Sequence, residues 1–354
     1  MAMDSRLFTV LVKVENTEGT DATPAVGTDD VFVMNDSSGI DSGQSLGTVV
    51  GASPTGDAQT QYVQMRQGTA SYRIPLYGLG LSTGVIQLPR WAEVLFGSFC
   101  DIVIGSSDST SAVIRPNLAN PQTTDDGDTV TSNKKTFTVY EWKGVDGTIA
   151  GGTKTLTKLI GARVSSVTLD FPVGDLCVAT FNFVGRPVTV ASDTTDLSGW
   201  TGETTRDFIT PNAFQTQLTP NGGGAIDTCM SSLSLNMDLA GAHIMGDCED
   251  ATGVAGTALG ALTLTGSIDP LLASGDISTW MNDINACDYF TLSSSEIHPL
   301  TRSANTGYGV VVDAGIVHAN FTQADTGRPE MRLPLEIAVM EPHDSSNGFT
   351  LTLQ

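Results

Sequence analysis

Cations are scarce in this chain. Only 17 Lys and Arg stand among 354 residues, against 39 Asp and Glu, for a formal net charge of −22. A protein that grips nucleic acid displaces phosphate counterions with clustered positive charge. The sole doublet here is Lys134-Lys135, which argues against direct nucleic-acid binding while leaving repulsion of nucleic acid open. Charged residues of all kinds make up only 16%, too few for a disordered chain or one of long solvated helices. Cysteine pairing is also missing. The five residues Cys100, Cys177, Cys229, Cys248 and Cys287 are odd in number and form no CxxC, which reads as reduced thiols in a cytosolic product. No apolar run approaches the roughly 18–20 residues of a membrane span, and Met1–Lys13 lacks the apolar centre of an export signal. Aromatics are only 6%, and they fall mostly within strand and helix patterns, which argues against a glycan-binding module with aromatic loops.

What is present is a β-protein's vocabulary: 40% hydrophobic residues, 38 Gly, and Thr, Ser and Val in abundance. Period-two alternation marks strands at Leu233/Leu235/Met237/Leu239 and at Met331/Leu333/Leu335/Ile337/Val339. Further strands are expected at Phe137/Val139, facing away from Tyr140/Trp142, then at Val167/Leu169/Phe171, Phe181/Phe183 and Phe349/Leu351/Leu353. One apolar and one polar face per strand suits antiparallel sheets that cover a core on one side. Two helices are expected. One follows Pro89, with Trp91, Val94 and Leu95 on one face; the other spans 276–286, with Ile277, Trp280, Met281 and Ile284 as its stripe. Trp91, Leu95, Trp280 and Ile284 are the expected core anchors.

The same plan is expected twice. A strand near 70–78 leads to the first helix and then to a strand pair around Gly174; a strand at 260–268 leads to the second helix and then to a pair around Gly327. This divides the chain into a unit over 1–190, a linker over 191–211, and a unit over 212–354. The first unit carries an acidic insertion at 105–134, containing TTDDGDT, and a Ser-, Gly- and Gln-rich loop beginning at residue 36. A loop of that length is usually functional or mobile, and a neighbouring subunit is one partner on which it could order.

No catalytic constellation stands out. Gly43-Gln44-Ser45-Leu46-Gly47 fits GxSxG, but polar residues precede it and Pro54 follows, so the strand–elbow–helix context is missing. Gly147–Thr155 nearly matches a phosphate-binding loop, with the lysine one residue late, and reads better as a hairpin turn. His243, Asp247, Cys248 and Glu249 have no usual zinc spacing and read as a loop. Asp125, Asp126 and Asp128, like Asp193 and Asp196, lack a full calcium loop and read as solvated acids. No cofactor and no metal are expected.

Four segments, in order, resemble one family. Lys13-Val14-Glu15-Asn16-Thr17-Glu18-Gly19-Thr20-Asp21 with Pro24 is similar to the opening of phage tail tube proteins. Pro89–Gly97 resembles that family's first helix, and Leu159-Ile160-Gly161-Ala162-Arg163 with Phe181-Asn182-Phe183-Val184-Gly185 its central hairpin. Phe349–Leu353 fits its closing strand. The resemblance implies a mainly β fold of two tail-tube-type sandwich or barrel domains, each with one helix, whose strands join a β-barrel between subunits. It implies a structural role in the virion tail, with assembly in the host bacterial cytoplasm. Rings of identical subunits, trimeric and pseudo-hexameric or else hexameric, stack into a conduit through which DNA passes without specific binding. The other partners implied are the tail tip, tape measure and tail terminator proteins, and no membrane. Within that picture Asp170, Asp175, Asp238 and Glu336 are candidate acids of the bore, by strand alternation. The stretch 36–66, with Asp41, Gln44, Gln59 and Gln61, is the candidate ring-stacking loop. A capsid decoration or head–tail joining protein is the alternative.

Overall fold

The computed structural model describes residues 4–41, 44–51, 58–66, 68–78, 80–82, 85–95, 100–104, 111–116, 136–186, 188–201, 208–211, 214–221, 226–245, 254–258, 260–271, 282, 284–286, 289–297, 309–321, 334–340 and 348–353. Nearly all of its regular structure is strand. In chain order these are β1 (Asp4–Val14), β2 (Asp30–Val31), β3 (Gly39–Asp41), β4 (Gln44–Gly51), β5 (Ala58–Arg66), β6 (Gly68–Pro75), β7 (Gly80–Ser82) and β8 (Val85–Gln87), followed by helix α1 (Arg90–Val94). Then come β9 (Cys100–Ile104), β10 (Ala112–Pro116), β11 (Phe137–Asp146), β12 (Thr153–Pro172), β13 (Val178–Gly185) and β14 (Thr189–Asp193). The second half holds β15 (Gln215–Pro220), β16 (Ile226–Asp238), β17 (Ala242–Met245), β18 (Val254–Ala258), β19 (Thr263–Leu271), β20 (Phe290–Ser294), β21 (Val310–Phe321), β22 (Leu335–Val339) and β23 (Phe349–Leu353).

Alternation decides which face a side chain takes; backbone hydrogen bonds decide which strand lies beside it. The 20-residue β12 has partners along both edges. Its first part lies between β11 and β14, its second between β13 and β16. Between the two parts sits Gly161 at φ 64°, a left-handed conformation that a side chain would strain, and the register shifts again between Val164 and Ser166. These irregularities re-aim the strand, so it serves two sheets.

One pairing order occurs twice. It runs β6–β13–β12–β11–β1 in the first half and β19–β22–β21–β20–β15 in the second, antiparallel throughout. Each run closes on itself. The unbroken β16 pairs with both β15 and β19. Its counterpart in the first half is interrupted by the turn at Asn35-Asp36: β2 pairs with β1, and β3 with β6. β14 and β23 also correspond, since each follows the last strand of its run and pairs with the leading part of β12 or β21. Among the described residues two strand pairings tie the halves together: β12 with β16, and β10 with β23.

The expected faces hold. Phe137 and Val139 lie in the main core, while Tyr140 and Trp142 turn to a second cluster with Leu11, Leu156 and Leu197. Val167, Leu169, Phe171, Phe181, Leu233, Leu235, Met237, Leu335, Ile337 and Leu351 are all buried in the main core. Gly174, at φ 79°, makes the expected turn between β12 and β13. Helix α1 is short, with Pro89 at its N-cap, and it buries Trp91, Val94 and Leu95. Trp91 Nε1 donates to the Tyr77 carbonyl at 2.9 Å, which satisfies the one polar atom of the buried ring. Of the second expected helix, Asn282, Ile284 and Asn285 are described and helical, with Ile284 half-buried against the core. Trp280, Met331, Leu333 and Gly327 lie outside the described residues.

Three segments differ from the sequence reading. The loop expected from residue 36 is largely a hairpin, β4 against β5. The loop expected after Leu239 is a second hairpin, β17 against β18. The polar insertion at 105–134 contains β10, with Ala112 and Ile114 buried, paired on one edge to β9 and on the other to β23. A turn-like composition hid the two hairpins, because a hairpin ladder is made by backbone pairing, while β10 was hidden by its polar surroundings although its own Ala112 and Ile114 are buried. Within 191–211, Leu197 and Ile209 are buried, and Phe208 bridges to Tyr77.

Leu235 sits between β12 and β19 and is 1% exposed. Leu235→Ala is expected to cost about 3 kcal/mol, read as a lowered urea midpoint with unchanged slope.

Candidate functional site: a polar face between two sheet edges

Eight strands form one continuous sheet in the order β3, β6, β13, β12, β16, β19, β22, β21. One of its faces packs on the core. Directly opposed residues define the other. Reading across, Gly39 faces Ser71, Ser71 faces Asn182, and Asn182 pairs with Ser166. Ser166 faces Asp238, Asp238 faces Thr263, Thr265 faces Ala338, and Ala338 faces His318. Ser, Thr and Asn are the commonest residues of this row, with Asp238, Ala338 and His318 among them. Hydrogen bonds stitch it laterally: Asn182 Nδ2 donates to Ser166 Oγ at 2.9 Å, Thr168 Oγ1 to Asn236 Oδ1 at 3.1 Å, and Ser234 Oγ to Asp170 Oδ1 at 2.6 Å.

The charges on this face are unbalanced. Its cations Arg73 and Arg163 are each paired with a carboxylate, Asp36 and Glu18 respectively. Its acids include Asp41, Asp170, Asp238 and Glu336, which oppose Thr69, Ser234, Thr263 and Ser267. Three of the four acids singled out by alternation, Asp170, Asp238 and Glu336, thus share one face. Asp175 does not: it is exposed in the turn after Gly174 and accepts from the Leu176 N–H. β12 ends at Pro172, so its alternation does not reach Asp175.

The two long hairpins leave this sheet at matching places. β4–β5 lies between β3 and β6, and β17–β18 between β16 and β19. Among the described residues neither hairpin pairs with another strand. Gln44, Gln59 and Gln61 lie on the first, opposite Arg66, Val50 and Thr48, while Asp41 ends β3. The sequence marks both hairpins as loops, without their strands. The available signal was the matching interval between the two sheet strands in each half.

The opening segment and the Leu159–Arg163 segment, which carried the resemblance, meet in space. Glu15 is buried, yet its carboxylate accepts four hydrogen bonds: from Gly19 N–H at 2.7 Å, Thr136 Oγ1 at 2.8 Å, Thr138 Oγ1 at 2.8 Å and Gly161 N–H at 2.7 Å. That set offsets the cost of burying the charge. Arg163 donates to Glu18 at 2.7 Å. Lys158 donates to Asp21 at 3.0 Å and to Tyr140 Oη at 2.7 Å, with its ammonium 4.2 Å from the Tyr140 ring centroid. Burial by itself would raise the Asp21 carboxyl. Hydrogen bonds from Tyr140, the Thr23 N–H and Lys158 outweigh it and hold the group below its ordinary value.

The weighed chemical motifs resolve into structure. Ser45 lies within β4, opposite Met65, with no elbow and no following helix. Lys154 is buried and donates to the carbonyls of Gly152 and Thr195, tying the β11–β12 turn to the segment after β14. Asp193 accepts from Trp142 Nε1 at 2.6 Å, and Asp196 caps the Ser198 N–H at 2.8 Å. Burial pushes the Cys177 thiol well above its ordinary value, so it is unreactive. His243 lies on β17, while Asp247, Cys248, Glu249 and Asp125–Asp128 are outside the described residues. The described residues hold no group of three or more His, Cys, Asp or Glu arranged for a metal. No helix among them is long and apolar enough to cross a membrane.

The model of the phage tail tube protein family matches residues 8–312, and the chain belongs to that family. The match takes in the Glu15 opening, α1 and the central hairpin; β23 lies beyond it. No curated protein matches the sequence. The family assigns the chain to the virion tail as a structural tube component.

Two outcomes follow from the Glu15 and Asp21 networks. Glu15→Gln sets an amide against donors and should lower stability by about 3 kcal/mol in urea titration, with no new metal or ligand dependence. For Asp21, a lowered folded pKa means a contribution that is complete above the unfolded value near 4 and is lost as pH falls through the folded value. Asp21→Asn should therefore lower stability at neutral pH and flatten the acid limb of a stability–pH curve below pH ~4.

Proposed function

We propose that the chain assembles into rings that stack as the tube of a phage tail, with the polar sheet face lining the bore. The observation that carries this reading is the pairing order that occurs twice and fuses into one eight-strand sheet. Two equivalent units, over 1–190 and 212–354 with 191–211 as connection, give a chain two-sixths of a pseudo-sixfold ring. Three chains then line the bore with about 24 strands. At roughly 4.8 Å per strand and a tilt of about 40°, the wall is on the order of 50 Å across at the backbone, ample for a duplex.

The chemistry suits passage. Small hydroxyl and amide side chains predominate, and the excess of acids repels phosphate. The β4–β5 and β17–β18 hairpins reach the adjoining ring and supply the axial contact, with Gln44, Gln59 and Gln61 on the first. The role is assembly and conduction, with no bond made or broken. Assembly takes place in the host cytoplasm and begins on a tail tip. A tape measure protein fills the bore until ejection, and a terminator closes the last ring.

Cryo-electron microscopy of the purified protein should show stacked rings with threefold symmetry and a sixfold-like lumen; a protein that stays monomeric at high concentration would sink the reading. Replacing Asp238 and Glu336 together by Lys should leave tubes intact yet slow DNA ejection from particles, with the delay shrinking as salt rises.

A further inference from the structure

Each sheet edge satisfies half its backbone groups inward and presents the other half outward, so an edge of matching phase is a binding surface. The eight-strand sheet ends at β3 on one side and at the second part of β21 on the other. Among the described residues, β20 covers β21 only as far as Val317, and no strand covers it from His318 to Phe321. Likewise no described strand pairs with the outer edge of β3.

The chain also contains a finished example of such a joint. β12 and β21 hold corresponding places in the repeated order, as do β16 and β3, each of which precedes a hairpin and pairs with β19 or β6. Inside the chain β12 receives β16 antiparallel, from Ser166 opposite Asp238 to Pro172 opposite Ser232. We propose that β21 receives β3 of a second copy in the same manner, so that the joint within the chain is the template for the joint between chains. This rests on the ring reading and names its contact.

The phases of the two edges agree with this. In the internal joint the Leu239 N–H donates to the Ser165 carbonyl at 2.9 Å, and the Val173 N–H donates to the Ser231 carbonyl at 2.9 Å. The backbone groups of core-facing Leu233, Leu235, Val167 and Leu169, on the same alternation, therefore point into the joint. On β21 the Ile316 carbonyl accepts from Met340 on the β22 side, so by alternation the groups of Ala319 point to the open edge. On β3 the Ile40 N–H points outward and donates to Glu141 Oε2 at 2.9 Å. A side-chain carboxylate there takes the acceptor position that Ser165 fills for Leu239, and a side chain can yield that position to a carbonyl. Ala319 and Ile40 both pack on the core side. Joining the edges therefore sets core face beside core face. On the other face it sets Asp41 beside His318 or Asn320, and the polar surface continues without a break.

Cysteine pairs test the contact. In a Cys229→Ser background, Asp41→Cys is combined in turn with His318→Cys and with Asn320→Cys, and assembled tubes are oxidised. Asp170→Cys with Ser234→Cys, directly opposed in the internal joint, serves as reference. The expected result is a non-reducing ladder of dimers and trimers from an inter-chain pair, while the reference pair closes within one chain. Tubes that assemble, with a closed reference pair but no ladder, would overturn this joint and leave the tube reading standing. Unsubstituted protein that forms no rings at all would overturn both. Ala319→Pro supplies a second readout: it removes a donor from the open edge and spares the hydrogen bonds to β22. Loss of tubes with unchanged far-UV circular dichroism is expected, and normal tubes from this variant would refute the proposal. If the variant does not fold, the cysteine ladder decides.

Discussion

The structure depends on one strand being shared. β12 is held along both edges over both of its parts, by β11, β14, β13 and β16 in turn. A straight strand could not serve these neighbours. The left-handed backbone at Gly161 and the register shift before Ser166 let one continuous backbone leave a sheet facing Tyr140 and Trp142 and enter a sheet facing the main core. Glu15 sits at that corner and fixes the Gly161 amide. The buried carboxylate, the corner and the seam between the halves are consecutive consequences of where β12 bends.

That also explains why two separated sequence segments are diagnostic together. The run from Lys13 to Asp21 supplies Glu15, Glu18 and Asp21. The run from Lys158 to Arg163 supplies a cation for Asp21, an amide for Glu15 and a guanidinium for Glu18. Each contact has its partner in the other segment. A change in one leaves a buried or half-buried charge without its complement, which is costly.

Much of this was legible in the sequence, and what was not has a physical reason. Period two reports the face a side chain takes. It placed Phe137 and Val139 opposite Tyr140 and Trp142, and it put Asp170, Asp238 and Glu336 on polar positions. It carries no information about which strand lies alongside, so the seam between β12 and β16 and the meeting of β10 with β23 could not be read. It also carries no memory of strand ends, so it does not show that Asp175 falls in the turn after β12. The hairpins and β10 were hidden because Gly, Ser and Asp mark turns by composition, while a ladder is made by backbone.

The clasp of β10 on β23 has a kinetic side. Ala112 faces Leu353, so an edge in the first half waits for a strand made much later in the second. Pairings between residues so distant in sequence form late, because loop closure must come first. A partly made chain therefore lacks a finished second half.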